Sequence, residues 1–373
     1  MNQTKNVPLL DLSEQYEPIK NDIFKKFQEI FETKRFIHGP EVEGLEKETA
    51  EYCGTKFAVG VSSGSDALII ALMTEEIGHG DEVITTPFTF FATVGAISRV
   101  GAKPIFVDID KDTFNMDVTQ IEAKITPNTK AIMPVHLFGQ MADMDAIMAI
   151  AKKHNLVVIE DSAQSIGGKY QSDDGTNYKS GAMGTYGCYS YFPSKNLGCM
   201  GDGGMVVTND EAKYLKLKQM RNHGEVKRYH HQFIGGNFRI DALQAAVLRL
   251  KLPLLDAQHG GRQKNAAFYE ATVKNDKVQL PVIDKKCTSI YNQYTLRTSD
   301  RASLQEHLNN KGIGNAIYYP IPLHLQECFT DLGHKKGDFP VSELACEEVL
   351  SIPIFGGLKE NEVQRVVEAL NSY

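Results

Sequence analysis

Residues 189–204 read YSYFPSKNLGCMGDGG. The stretch sets Lys195 in a sharp turn, just after a strand-like run, Tyr186–Phe192, and just before a glycine-rich segment, Gly198–Gly204. Pro193 forbids a smooth helix there, and Asn196 and Gly198 are turn formers. The glycines of GDGG let backbone come close to something bulky. Open α/β sheets put their chemistry at strand ends. A lysine in such a place can serve as an amine nucleophile that forms a Schiff base with a carbonyl cofactor. On that reading Lys195 holds pyridoxal phosphate and the chain is an aminotransferase. The competing reading is a solvated surface lysine, the ordinary fate of this residue type.

Working outward, the pattern alternates. Phe57–Val61 reads as a strand, Ser62–Asp66 as a break and Ala67–Ile77 as a helix. Strands follow at Glu82–Thr86, Pro104–Ile109, Ala131–His136 and Leu156–Asp161, with helices at Phe90–Val100 and Asp143–His154. Tyr186–Tyr191 and Met205–Asn209 complete the strands. Apolar β-branched runs alternating with helices predict βαβ units and a mostly parallel sheet covered on both faces. A helical segment, Ile240–Leu255, leads out of it. The expected division is an N-terminal segment, 1–35, packing near the small domain; a large cofactor-binding domain, 36–249; and a smaller C-terminal α/β domain, 250–373. The N-terminal segment carries a helix from Tyr16 to about Thr33. The small domain mixes strands at Tyr291–Arg297 and Ala316–Tyr319 with helices at Ser303–Lys311, Val341–Val349 and Lys359–Ser372.

Bulk properties narrow the classes. The 373 residues suffice for a full core and two domains. Hydrophobic content of 42% and charged content of 23% are ordinary for a globular enzyme. A net charge of −7 argues against nucleic acid as the main partner. The cysteines at 53, 188, 199, 287, 328 and 346 include no C-x-x-C pair, so neither a metal site nor a disulfide framework is expected. The expected compartment is the reducing cytoplasm. The N-terminus does not read as a signal peptide. No run of about 18 apolar residues predicts a membrane span.

Polar residues then gather where strands end. Gly64-Ser65-Asp66 opens a helix, whose free N–H groups and dipole favour a phosphate; taken alone, the stretch reads first as a plain N-cap by Ser65 or Asp66. In Pro87–Thr93 one ring can stack on a flat cofactor, while Phe88 and Phe91 read as core. Asp161 ends the strand LVVIE, where a carboxylate can pair with a protonated pyridine nitrogen and keep the ring cationic. The alternative is a cap on a following helix. Gln164 can hydrogen-bond a ring oxygen, and Ser190 can reach a phosphate. Asn237–Ala246 reads as a polar loop entering an apolar helix.

Together SSGSDAL, EDSAQSIG, YSYFPSKNLG, GDGG and GGNFRIDALQAA resemble the DegT/DnrJ/EryC1/StrS family of pyridoxal-phosphate sugar aminotransferases. The resemblance runs from VPLLDL near the start to YYPIPLH near the end. It implies the fold-type I aminotransferase fold and a homodimer with active sites shared at the interface. Lys195 matches the family's Schiff-base lysine, Asp161 the acid on the pyridine nitrogen and Gln164 the partner of the ring hydroxyl. Phe90 takes the stacking position. Gly64, Ser65 and Ser190 fall on the phosphate positions, and Asn237 on the asparagine that reaches the phosphate from the other subunit. Relatives with histidine in place of the lysine are sugar dehydratases, so Lys195 favours transamination.

The resemblance further implies a ping-pong exchange. L-glutamate gives up its amine and leaves as 2-oxoglutarate, the cofactor becomes pyridoxamine phosphate, and a nucleotide-linked keto sugar takes the amine. The motifs look closest to enzymes that aminate C3, and among them those acting on UDP-2-acetamido-2-deoxy-3-keto-glucuronic acid, for lipopolysaccharide and O-antigen. Arg239 is then the candidate for the sugar carboxylate, because a guanidinium fork fits it bidentately. Tyr318, Tyr319 and His324 fall on the substrate-side motif, although Tyr318 stands where relatives often have histidine. Tyr229, His230 and His231 are substrate-loop candidates, or else part of an interface or lid. A dTDP-linked 3-keto-6-deoxyhexose is the alternative substrate.

Overall fold

The computed structural model describes residues 6–373. Its centre is a seven-stranded sheet. In chain order the strands are β1 (Phe57–Val61), β2 (Glu82–Thr85), β3 (Lys103–Phe106), β4 (Thr129–Ile132), β5 (Val157–Asp161), β6 (Tyr186–Ser190) and β7 (Gly204–Thr208). Their spatial order is β1-β7-β6-β5-β4-β2-β3. Strands β3, β2, β4, β5 and β6 pair in parallel, and β7 runs antiparallel between β6 and β1. The carboxyl ends of β1, β2, β5 and β6 therefore share one edge.

Helices cover both faces, as near-continuous apolar strands require. Helices α1 (Lys20–Thr33), α2 (Pro40–Cys53), α3 (Gly64–Thr74), α4 (Phe91–Arg99), α5 (Met144–His154), α6 (Glu211–Arg221) and α7 (Ala242–Lys251) belong to this part. On one face α3, α4 and α6 bury Leu68, Ile97 and Leu217 against Val59, Val83 and Ile159. On the other, α2 and α7 set Leu45 and Leu248 against Ala58, Tyr189 and Val207. Alternate residues of one strand thus serve opposite layers, the period of two inherent in a strand.

The C-terminal part has its own core. Helices α8 (Leu255–Thr272), α9 (Arg301–Asn310), α10 (Pro340–Glu348) and α11 (Glu360–Asn371) surround the antiparallel pair β8 (Tyr294–Arg297) and β9 (Val349–Ile352). Tyr269, Leu296, Leu308, Leu350 and Val366 fill it, joined by Val7 from the N-terminus. Residue 250 lies inside α7, and we propose that the second domain begins with α8. Val7 bridges to Ile313, but α1 lies on α7, with Ile23 against Val247 and Ile30 against Ala246. So the N-terminal strand segment reaches the C-terminal core while its helix does not.

Three elements differ from the sequence reading. The helical segment ending near residue 255 continues after a Pro253 turn as the 18-residue α8. Gly260 and Gly261 disguise that helix. Gly261 is there because a Cβ would fall 2.5 Å from the Gly356 carbonyl. Residues 316–319 form no strand, only a bridge from Ala316 to Ser351. Short hairpins at Lys169–Gln171 with Asn177–Lys179, and Glu225–Lys227 with His230–His231, are too brief to leave a periodic signal.

Asp108, just beyond β3, caps α10 from afar. Its carboxylate accepts from Val341 N at 2.9 Å, Ser342 N at 2.9 Å and Ser342 Oγ at 2.6 Å. Asp108→Ala should lose about 1–2 kcal/mol, as lost N-caps do, read as a lower urea midpoint; an unchanged midpoint would show that the cap contributes nothing.

Candidate active site

The shared strand edge collects the polar residues. Asp161, the last residue of β5, is 5% exposed. Thr93 Oγ1 donates to Asp161 Oδ2 at 2.7 Å, and Ala163 N donates to Oδ1 at 3.2 Å. Since Thr93 spends its hydrogen on Asp161, Thr89 donates to Thr93 across 2.9 Å. No helix follows Asp161, so it caps nothing. Burial raises its carboxyl above the ordinary range, while the Thr93 and Ala163 hydrogen bonds and the Lys195 charge pull it down. Such a carboxyl is stabilised as an anion by any further cation brought beside it.

Lys195 follows β6 in a tight turn. Its N–H donates to the Phe192 carbonyl at 2.8 Å, and Cys199 N closes the loop onto the Tyr191 carbonyl at 2.8 Å. A side chain at Gly198 would collide with the Pro193 carbonyl at 2.4 Å, so glycine is required there. Desolvation lowers the Lys195 amine from 10.5 to about 8, against the opposing pull of Asp161. An amine in that range is partly unprotonated near neutrality, the state that attacks a carbonyl.

Gly64 and Ser190 make a close joint. A Cβ on Gly64 would lie 2.5 Å from the Ser190 Cβ. A Cβ on Gly204 would lie 2.9 Å from the Gly64 nitrogen. This explains why glycines occur in both SSGSD and GDGG. The N-cap of α3 is Ser63, not Ser65 or Asp66: Ser63 Oγ accepts from Asp66 N at 3.0 Å. Ser65 in the first turn makes no side-chain hydrogen bond among the described residues, and Gly64 before it abuts Ser190, where N–H groups favour an anion.

Phe90 is 55% exposed and its ring centroid lies 6.0 Å from that of Tyr319. Phe88 is buried core as expected. Phe91 is not: it is half exposed and stacks on Phe329 at 5.5 Å. Gln164 accepts from Phe138 N at 2.7 Å and donates to Tyr319 Oη at 2.9 Å. Tyr318 sits beside Tyr319, with ring centroids 6.0 Å apart.

The remaining candidates make other contacts. Arg239 pairs with β1 through a bridge to Val61, and its Nη1 donates to Asn222 Oδ1 at 2.8 Å. Its Nε is buried with no partner among the described residues. Asn237 is exposed on this chain. Tyr229, His230 and His231 sit on the exposed 225–231 hairpin, Tyr229 being 77% exposed. His324 is buried, its Nε2 3.1 Å from Glu343 Oε1 and its ring 4.8 Å from Phe339. A sugar contact does not fit a ring closed off in that way.

Several supporting residues escape sequence reasoning. Thr93 is one. Glu160 is another: it accepts from Gly181 N at 2.8 Å, Met183 N at 2.9 Å and His136 Nε2 at 2.8 Å. His136 Nδ1 accepts from Ala142 N, so its hydrogen sits on Nε2 and the ring is neutral. Behind the lysine loop, Lys251 Nζ donates to the Gly198 carbonyl at 2.6 Å, and Tyr16 Oη donates to the Cys199 carbonyl at 3.1 Å. These residues act through pairings across 21 or more residues, which no local spacing encodes.

A phosphate joint that excludes a Cβ, an exposed ring, a buried acid and a desolvated amine fit pyridoxal phosphate. In cofactor-free protein, acylation of Lys195, read by peptide mass mapping, should rise with pH through a midpoint near 8. Because the Asp161 charge holds that amine up, Asp161→Asn should move the midpoint lower still. A midpoint near 10.5 in both would contradict the burial argument.

Comparison with known proteins agrees with this geometry. The chain is 50% identical over 372 residues to a pleiotropic regulatory protein of Geobacillus stearothermophilus, covering 99% of this chain and 98% of that one. It is 42% identical to the UDP-N-acetyl-3-dehydro-alpha-D-glucosamine 3-aminotransferase of Acidithiobacillus ferrooxidans, covering 99% and 98%. It is 41% identical to the UDP-2-acetamido-2-deoxy-3-oxo-D-glucuronate aminotransferase of Pseudomonas aeruginosa, covering 98% and 100%. The solved structure of S. venezuelae DesV with a ketimine intermediate superposes with a TM-score of 0.95 at 39% identity, covering 99% and 98%. The sequence profile of the DegT/DnrJ/EryC1/StrS aminotransferase family matches residues 17–371. The chain belongs to that family and is a fold-type I, pyridoxal-phosphate-dependent sugar aminotransferase.

Proposed function

We propose that the protein moves an amino group from L-glutamate to C3 of a nucleotide-linked 3-keto sugar, UDP-2-acetamido-2-deoxy-3-keto-glucuronic acid being the substrate, and that the amino sugar serves surface polysaccharide. The observation that carries the reading is a buried acid at the end of β5 and a half-buried lysine in the turn after β6, close enough that each feels the other's charge. Bound there, the cofactor supplies an electron sink for charge left on the substrate carbon.

In this reading the protein's own groups divide the work. Lys195 would hold the cofactor through its amine, and the same amine, lowered to about 8, would move the proton at the reacting carbon. Asp161 would keep the ring nitrogen protonated. Gly64, Ser65 and Ser190 would hold the phosphate, and Phe90 would stack on the ring. Gln164 would donate to the ring oxygen. Asn237 completes the phosphate site of a second copy in a homodimer, which its exposure supports. Arg239, which bridges to Val61 at the carboxyl end of β1, and the 225–231 hairpin are the sugar-side candidates. Two relatives above 40% identity are named for UDP-linked 3-keto sugars, which supports that class, and one of the two is named for the glucuronate.

The test is incubation of the cofactor-loaded protein and glutamate with a panel of keto-sugar nucleotides, read by product mass. The glucuronate should be aminated fastest, and Arg239→Ala should raise its KM by about tenfold or more, the scale of one lost charge-assisted contact. Equal turnover of a neutral dTDP-3-keto-6-deoxyhexose would remove the role given to Arg239. Lys195→Ala should cut turnover by roughly three orders of magnitude or more, as loss of a covalent nucleophile does; normal turnover would end the proposal.

A further inference from the structure

Gln164 is fixed at both ends. A backbone N–H can only donate, so the Phe138 N–H at 2.7 Å identifies the amide oxygen. The amide nitrogen must then be the atom 2.9 Å from Tyr319 Oη. That nitrogen has two hydrogens and spends one on Tyr319, so the other is free for a ligand. Burial holds the Tyr319 phenol well above its ordinary range, so the hydroxyl stays protonated. It accepts from Gln164, and its own hydrogen has no acceptor among the described residues.

Tyr319 is itself held firmly, and from the C-terminal part of the chain. Its ring meets Phe88 edge-on at 6.3 Å and Phe90 at 6.0 Å. Before it, Ala316 bridges to Ser351 of β9. After it, Leu323 N donates to the Pro87 carbonyl at 2.8 Å. The segment 316–323 therefore ties the C-terminal core to the β2 edge of the site, with the tyrosine hydroxyl at its tip.

We propose that Tyr319 is a positioning residue for the cofactor rather than only a sugar contact: it orients the Gln164 amide, so that the C-terminal domain sets the hydrogen bonding of the cofactor ring. This rests on the cofactor reading given above. An N–H donated to the ring oxygen stabilises negative charge there. An oxygen held in that way grips the proton on the neighbouring Lys195 nitrogen less tightly. Letting the amide turn away should raise the affinity for that proton.

The experiment is Tyr319→Phe in the cofactor-loaded protein, which removes one oxygen and keeps the ring packing. Without any sugar, the pH midpoint of the bound cofactor's visible absorbance should rise by about one unit, a tenfold change. The half-reaction with L-glutamate alone should slow about tenfold. Gln164→Ala should give the same rise, and adding Tyr319→Phe to it should add nothing further. A wild-type midpoint and glutamate rate in Tyr319→Phe, with only the sugar KM raised, would overturn the proposal, as would additive shifts in the double variant. If Tyr319→Phe does not fold, the Gln164→Ala titration decides: an unmoved midpoint overturns the proposal. A wild-type protein with no visible cofactor band would instead sink the cofactor reading itself.

Discussion

The structure depends on setting a buried carboxyl and a half-buried amine near one another at the same edge of a sheet. Burial drives each toward its neutral form, and the charge of each holds the other back. Asp161 is additionally held by Thr93 and the Ala163 N–H, so its position does not depend on the lysine. Lys195 is held by its turn. The outcome is an acid that welcomes a further cation and an amine that gives up its proton easily.

Much of the remaining architecture protects that arrangement. Parallel pairing of β4, β5 and β6 brings Asp161 and Ser190 to one edge. One residue before Asp161, Glu160 points to the other side of the sheet and anchors the strand through His136 and three backbone N–H groups. That buried carboxylate is fully hydrogen-bonded, as burial demands. Gly64 and Gly204 let the α3 turn, β6 and β7 meet without side chains between them. Lys251 and Tyr16 hold the carbonyls of the lysine loop from behind, so even the N-terminal segment contributes to the site.

The alternation of apolar strands with helices was enough to read the sheet, its parallel character and the strand-end positions of Asp161 and Lys195. Those features follow from local period and turn chemistry. What stayed hidden depends on distance. The true cap of α3 is Ser63, because three adjacent polar residues compete and only backbone direction decides among them. Phe91 looked like core, yet its ring lies outside on Phe329. His324 looked like a sugar contact, yet Phe339 and Glu343 enclose it. Helix α8 was missed because Gly260-Gly261 reads locally as a break, whereas Gly261 answers a close approach by Gly356.

The central claim is that one amine, on Lys195, bonds to a bound aldehyde beside Asp161. Borohydride reduction of the pyridoxal-phosphate-saturated protein, followed by peptide mass mapping, tests it most directly. The account predicts a stable phosphopyridoxyl adduct on the peptide carrying Lys195, in about one copy per chain. No adduct, or an adduct on another lysine, would contradict it.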